Sequence, residues 1–277
     1  MSLLATATSG VSKYGSRIVI SGSEGVGKTT FACQSPRSLL VPLEQGAMRV
    51  TTPKLPNIIS SYDEVMKLIN EIGMAAHQGK LIYHTIVFDS ASALERLIHD
   101  KVLTLDPQFG KKKDLNMETA LGGYGKAYAT ANLLFIDFTN LCDRLALMGV
   151  NIVLTCHVFA SKVLDPINGE YYQWDMQLHS PKNEKNIGKR ELITQWADLV
   201  GFLHEPMFIT KNEGESSARA ISANQGRVLG VERTPAYVAK NRYNIGGLIS
   251  IPKEKGWNNL AHAIYQGSGV DLFNRDI

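Results

Sequence analysis

The run at residues 22–29, Gly-Ser-Glu-Gly-Val-Gly-Lys-Thr, constrains this chain more than any other feature. It matches G-x-x-x-x-G-K-[ST], a loop whose glycines let consecutive backbone N–H groups point at one phosphate. In such a loop the lysine reaches the β- and γ-phosphates, and the final hydroxyl holds Mg²⁺. The residues expected to contact the phosphates are Gly22, Ser23, Glu24, Gly25, Val26, Gly27, Lys28, Thr29 and Thr30.

The residues on either side of this loop predict the strand and helix that the motif requires. Residues 17–21 are a short β-branched run typical of a buried strand. The residues from Thr29 onward favour a helix, whose N-terminus would face a bound phosphate. The run is therefore predicted to bind phosphate rather than to be a glycine-rich turn without a ligand.

The composition favours one large domain. With 277 residues, 44% of them hydrophobic, the chain can bury an ample core. We expect a single domain over 1–277, with an extension at 1–13, a core at 14–250 and a C-terminal segment at 251–277. The first residues lack the features of a signal peptide, and no run is long enough to span a membrane. We therefore expect a cytoplasmic protein without a membrane partner.

Short β-branched runs alternate with helical periodicity, which predicts an α/β fold with a mainly parallel sheet flanked by helices. The predicted core strands are 17–21, 38–43, 85–89, 151–156 and 199–203. The predicted helices are 62–76, 92–105, 128–148 and, near the end of the chain, 258–266. Beyond residue 204, the runs 219–222, 227–231 and 236–239 predict antiparallel strands added to one edge of the sheet.

Two predicted strands end in carboxylates. Asp89 closes the third strand, where it either holds the water shell of Mg²⁺ opposite the Thr29 hydroxyl or caps the next helix. Glu44 follows the second strand, where it either orients an attacking water as a base or is a solvated strand-end residue. Because the carboxyl ends of parallel strands line a ligand crevice, both side chains are expected beside the phosphate-binding loop.

Polar residues at two further strand ends are candidates for the same site. His157 follows the fourth strand, where it is either a sensor of the γ-phosphate or a structural histidine. Lys240 and Arg242 follow the predicted strand 236–239, and cations spaced i, i+2 on an extended chain project to the same side. They form either a solvated edge or a pair of fingers on a neighbouring subunit's ATP. The second interpretation requires an oligomer, because we expect the pair to lie far from its own loop.

The order of several segments resembles one family. GSEGVGKTT, LEQG, the strand ending at Asp89, GYGKAY, VLTCH, WAD and KNRY follow one another as in the phage-encoded RecA-like ATPases of the Sak type. These are single-strand annealing or recombination proteins related in their core to RecA and RadA. The resemblance covers roughly residues 14–250, and LEQG, TCH and KNRY are its most specific parts.

The resemblance implies a RecA-like core that binds ATP and Mg²⁺ between the subunits of a ring or filament. It implies that Lys28 is the loop lysine, Glu44 the catalytic glutamate, Asp89 the Walker B aspartate and His157 the polar sensor. It also implies that Lys240 and Arg242 correspond to the K-N-R-[FY] finger residues of the RadA branch. That motif ends in Gly, whereas this chain has Asn244 at the same position.

The resemblance also implies partners. These are single-stranded DNA that stimulates ATP hydrolysis, further copies of the chain and a single-strand-binding protein, in a phage-infected bacterial cell. In RecA-like proteins the DNA loops follow the third and fourth core segments, where this chain has the long stretches 106–125 and 161–190. Residues 163–178 are a candidate hairpin within the second stretch, with its turn at 165–169.

The two stretches combine cations with aromatic residues, a pattern typical of single-strand binding, although solvated loops are the alternative. The candidate DNA contacts are Lys111, Lys112, Lys113, Tyr124, Lys126, Lys182, Lys185, Lys189 and Arg190. Two other functions use the same phosphate-binding loop. One is a helicase loader or motor without annealing activity, and the other is a small-molecule kinase, whose arginine-rich lid the sequence lacks.

Overall fold

The computed structural model describes residues 14–167, 169–181, 187–210, 219–222 and 226–272. The strands in this part of the chain are β1 (Arg17–Gly22), β2 (Ser38–Pro42), β3 (Thr85–Asp89), β4 (Asn151–Cys156), β5 (Val158–Asp165), β6 (Gly169–Met176), β7 (Leu199–His204), β8 (Met207–Thr210), β9 (Arg219–Ser222), β10 (Arg227–Gly230), β11 (Lys240–Asn241) and β12 (Leu248–Ile251). The helices are α1 (Lys28–Ala32), α2 (Tyr62–His77), α3 (Ala91–Thr104), α4 (Lys126–Leu147), α5 (Lys189–Trp196) and α6 (Gly256–Ser268).

The main sheet of the described residues has the strand order β12-β10-β7-β1-β4-β3-β2, and β11 also pairs with β7. The strands from β7 to β2 run parallel to one another. In contrast, β10 and β11 are antiparallel to β7, and β12 is antiparallel to β10. The predicted α/β class, with a mainly parallel sheet and antiparallel strands toward the C-terminus, is confirmed.

Helices cover both faces of this sheet, which explains why its central strands are buried along almost their whole length. On one face, strand residues such as Val19 and Phe88 pack in a common core with α2, α3 and α4. On the other face, Ile18 and Val87 pack with α1 and α6, around the fully buried Trp257. Successive strand residues therefore alternate between two cores, and the carboxyl ends of the parallel strands remain as the edge where loops meet.

The predicted core elements agree with the structure to within one or two residues. Strands β3 and β4 have the predicted bounds, and the predicted helix near the end of the chain is α6. The predicted hairpin is confirmed but is longer, because β5 begins directly after His157 and pairs with β6 as far as Asp165 and Gly169. The predicted extension at 1–13 lies outside the described residues, and the single-domain division stays a prediction.

Two of the predicted antiparallel strands were wrong in detail. Residues 219–222 form β9, but β9 pairs with β8 in a separate hairpin and not with the main sheet. Residues 236–239 are not a strand, and the pairing with β7 begins at Lys240. The backbone of these residues bonds β6 instead, because the Trp174 N–H donates to the Ala236 carbonyl at 2.8 Å and the Val238 N–H donates to the Trp174 carbonyl at 3.2 Å. The Tyr237 ring stacks on Phe202 with centroids 4.8 Å apart and covers Gly230, where a Cβ atom would collide with it.

Candidate active site

The phosphate-binding loop connects β1 to α1, as the sequence predicted. Its glycines at 25 and 27 have φ values of 76° and 90°, in the left-handed region that other residues adopt only with strain. Gly22 ends β1 beside β7, and a Cβ atom there would lie 2.4 Å from the carbonyl oxygen of Leu203. Glycine is therefore required at 25 and 27 by backbone conformation and at 22 by close packing.

Lys28 lies inside the loop rather than in solvent. Its Nζ donates to the carbonyl oxygens of Gly22 and Ser23, each 2.9 Å away. Burial lowers the pKa of the ammonium, and the nearby Asp89 carboxylate partly opposes this shift. A buried ammonium held by carbonyls at the base of a phosphate-binding loop is a charge positioned for an anionic ligand.

Asp89, at the end of β3, joins the loop to the neighbouring strand. One of its carboxylate oxygens accepts a hydrogen bond from the Thr29 hydroxyl at 2.9 Å. The other accepts a hydrogen bond from the hydroxyl of Thr155, on β4. Burial raises the pKa of Asp89, while these two hydrogen bonds lower it. Asp89 therefore faces the loop as predicted.

The Thr29 hydroxyl and the Asp89 carboxylate fit a magnesium site. Both are hard oxygen ligands, and Mg²⁺ in nucleotide sites is typically held by one or two such groups together with phosphate oxygens and water. Their 2.9 Å separation places them on one side of the phosphate-binding loop. When bound, Mg²⁺ would neutralise charge on the phosphates.

Glu44 is held at the same edge of the sheet, after β2. Its carboxylate lies 3.1 Å from Nε2 of His157 and 3.6 Å from the guanidinium of Arg96, on α3. The hydrogen bond with His157 lowers the pKa of Glu44 against the opposing effect of burial, and Arg96 lowers it further. Glu44 is consequently ionised at neutral pH, which is the state a general base requires.

His157 connects this carboxylate to the following hairpin. Its Nε2 contacts Glu44, while its Nδ1 is buried and has no hydrogen-bond partner among the described residues. Its backbone N–H is bonded to the hydroxyl of Ser92, and the next residue begins β5. A histidine between a candidate base and a hairpin is suitably placed to couple the two, as a sensor would be.

Two residues of this cluster were not among the predicted site residues. Thr155 lies within the VLTCH segment, and its hydroxyl bonds the carboxylate of Asp89 directly. Arg96 lies on α3, and its contact with Glu44 joins residues that are distant in sequence. Only the general rule that the ends of adjacent parallel strands meet could have indicated Thr155, and no local pattern indicates Arg96.

Lys240 and Arg242 lie at the opposite end of β7 from the loop. The Lys240 ammonium donates to the carbonyl oxygens of Thr194, Gln195 and Ala197, at and beyond the C-terminus of α5. The guanidinium of Arg242 lies 3.0 Å from Asp198, and its side chain is 48% exposed. As predicted, the pair projects to one side and is remote from its own phosphate-binding loop.

Asn244 occupies the position where the resembling finger motif has glycine. Its φ of 53° lies in the left-handed region, which glycine favours and which asparagine tolerates better than most residues. Asn244 therefore preserves the backbone conformation that a glycine would adopt after Lys240 and Arg242.

The structure divides the candidate DNA contacts into three groups. The exposed residues are Lys111, Lys112, Lys113, Tyr124 and Lys126. Lys182 and Lys185 lie outside the described residues. Lys189 and Arg190 form the third group, and their side chains contact other residues of the same chain.

The burial of Lys189 contradicts the prediction that it contacts DNA. Its side chain is fully buried, with Nζ 3.3 Å from Glu95 and 3.3 Å from Nε2 of His99. Arg190 is largely buried and forms ion pairs with Asp175 and Glu191. The two cations in the first turn of α5 are thus paired with carboxylates of the same chain. Their side chains are therefore not available to contact a DNA phosphate in this structure.

One comparison with known proteins gives a match, and it agrees with this geometry. A family model described as an AAA domain matches residues 15–243, and a comparison with curated proteins finds no match. Within the described residues, no helix is both long enough and apolar enough to cross a membrane. The match covers most of the chain, including the loop, Asp89 and Glu44, and indicates a nucleotide-binding ATPase. The chain therefore belongs to the AAA-domain family of P-loop ATPases.

Proposed function

We propose that the protein binds and hydrolyses ATP, binds single-stranded DNA and promotes annealing during phage recombination, in the manner of the Sak-type proteins. The observation that carries the proposal is the cluster at the carboxyl edge of the sheet. There Thr29 contacts Asp89, and the ionised Glu44 is held by His157. This arrangement supplies a phosphate cradle, ligands for Mg²⁺ and a base for water, as hydrolysis of a phosphoanhydride requires.

We further propose that each active site is completed by a neighbouring copy. Lys240 and Arg242 lie at the far end of β7 in their own subunit, held by α5 and Asp198. The exposure of Arg242 leaves its guanidinium accessible to another subunit. In a ring or filament, the pair would contribute positive charge to the neighbour's γ-phosphate.

The placement of the two long stretches supports DNA binding. The ring of Tyr128, at the start of α4, stacks on His179 with centroids 3.9 Å apart. The amide of Asn132 donates to the carbonyl oxygen of Ile187 at 2.8 Å. Residues from both stretches thus meet at the N-terminal part of α4, around a cavity of about 390 Å³ that is also lined by Tyr124 and Lys126. The rings of Tyr124 and Tyr128 beside the exposed Lys126 match the combination of stacking surface and positive charge that single-stranded DNA requires.

The hairpin of β5 and β6 connects this region to the active site. Its Trp174 lines a cavity of about 470 Å³ that is also lined by the phosphate-binding loop at 23–26 and by Phe202 and Tyr237. The same hairpin follows His157 directly. A strand bound along the hairpin would therefore lie next to the nucleotide, which supports the proposal that DNA stimulates hydrolysis.

The test of DNA binding is fluorescence anisotropy of a labelled single strand at low salt, with ATP and Mg²⁺ present. We expect the wild type to bind and the triple variant Lys111→Ala, Lys112→Ala, Lys113→Ala to bind about tenfold more weakly, with a shallower salt dependence because fewer counterions are released. Lys67→Ala, which removes an exposed lysine of α2, is the matched control and should bind as the wild type does.

The outcomes distinguish the proposed functions. Binding together with faster pairing of complementary strands supports the recombination protein. If the wild type hydrolyses ATP but does not bind single strands even at low salt, where the phosphate contribution is strongest, the recombination proposal is wrong and a loader or motor remains.

A further inference from the structure

Arg227 contacts the phosphate-binding loop from outside, although it is more than 190 residues away in the chain. It is the first residue of β10 and is buried. Its Nη1 donates to the carbonyl oxygens of Val26 at 3.1 Å and Gly27 at 3.3 Å. Its Nη2 donates to the carbonyl oxygen of Pro252 at 3.1 Å. One guanidinium therefore joins two peptide groups of the loop to the turn that follows β12.

These bonds fix the direction of two N–H groups, together with the hydrogen bond that the Phe31 N–H of α1 donates to the Gly27 carbonyl at 3.0 Å. A trans peptide unit is planar, so a carbonyl that points toward Arg227 turns the N–H of the same unit the opposite way. The units concerned carry the N–H groups of Gly27 and Lys28, which consequently point away from the guanidinium. In this motif the inward-pointing N–H groups are those that cradle phosphate.

The second glycine of the motif is matched to this contact. Gly27 has a φ of 90°, and a Cβ atom there would lie 2.2 Å from Nη1 of Arg227. Any larger residue would therefore displace the guanidinium as well as strain the backbone. Nε of Arg227 is buried and has no partner among the described residues, so its hydrogen bonding rests on the two terminal nitrogens.

We propose that Arg227 is a positioning residue for nucleotide phosphates. It holds the carbonyl groups of Val26 and Gly27 so that the adjoining N–H groups face the ligand, and it adds a fixed positive charge behind the loop. The inference rests on the proposed nucleotide binding and assigns a specific part of it to a strand outside the motif.

Calorimetry of ADP and Mg²⁺ binding to the full chain tests the assignment. We expect Arg227→Gln to raise the Kd for ADP about tenfold, as the loss of a charge-assisted hydrogen bond would. Arg227→Lys keeps the charge but cannot span three carbonyls, so its Kd should lie between those of Arg227→Gln and the wild type. If the substitutions only loosened the fold, the positive charge of Arg227→Lys would not restore part of the ADP affinity.

Gln34→Ala is the matched control. Gln34 contacts the same turn, donating to the carbonyl oxygen of Lys253 at 2.6 Å, but it does not contact the loop carbonyls. We expect this variant to bind ADP as the wild type does. If Gln34→Ala weakens binding as much as Arg227→Gln, or if Arg227→Gln binds ADP normally, Arg227 does not position the loop. Failure of the wild type itself to bind ADP would instead contradict the proposed function.

Discussion

Glu44→Gln is expected to lower kcat for ATP hydrolysis by about 10²–10⁴, the range that general-base catalysis contributes. The substitution keeps the size of the side chain but removes its ability to accept a proton. Glu44 lies beside His157 and Arg96 and outside the phosphate-binding loop, so we expect its loss to impair activation of water and to leave phosphate binding intact. The Kd for ATP should therefore remain close to that of the wild type.

Steady-state hydrolysis and ATP titration of the same preparations separate the two effects. Glu71→Gln, on an exposed face of α2, is the control and should leave both parameters unchanged. Because the hydrogen bond from His157 lowers the pKa of Glu44 while burial raises the pKa of Asp89, the loss of hydrolysis as the pH falls should begin with protonation of Asp89, and Glu44 should remain ionised to a lower pH than an ordinary glutamate. A Glu44→Gln protein that retains its kcat would show that another group activates the water.

Arg242→Ala is expected to lower ATP hydrolysis by about 10³ or more, as the loss of an arginine finger does. Its own affinity for ATP should be retained, because Arg242 is remote from the loop of its own subunit. The variant should also fold, since Asp198 keeps its bidentate contact with Arg17 and the ion pair lost is partly exposed. Arg233→Ala removes another exposed arginine and is the control.

Mixing experiments show whether Arg242 acts on a neighbour. A mixture of Arg242→Ala with Lys28→Ala contains junctions where an intact loop meets an intact finger, so activity should return although neither protein is active alone. If the mixture stays inactive while both proteins co-assemble, the finger does not act between subunits.

The local parts of the site were predictable because they depend on short runs of sequence. The loop at 22–29 requires glycine at fixed positions, and the strand ending at Asp89 has three consecutive apolar residues and is buried along its whole length. The placement of Asp89 and Glu44 at one edge of the sheet followed from the parallel arrangement, in which the carboxyl ends of the strands share that edge. A motif together with a topology rule thus identified the centre of the candidate site.

The remaining parts depend on tertiary contacts that leave no local pattern. Lys189 reads as a surface cation, yet α5 packs its ammonium against Glu95 in the interior. The ion pair with Glu95 compensates the buried charge, and a count of charges cannot detect it. Arg227 and Arg96 contact the site from β10 and α3, and nothing in the residues around them indicates those contacts. The predicted strand at 236–239 was wrong for the same reason, because the backbone there bonds Trp174 of β6 and not β7.

The most direct test of the proposed active site is the rate of ATP hydrolysis by the wild type and by Lys28→Ala, each with and without single-stranded DNA. We expect the wild type to hydrolyse ATP and single strands to increase its rate. We expect Lys28→Ala, which lacks the buried ammonium of the loop, to be slower by on the order of 10² or more under both conditions. Equal rates for the two proteins would contradict the assignment of the active site. A wild-type rate that single strands leave unchanged would contradict the proposed coupling to DNA.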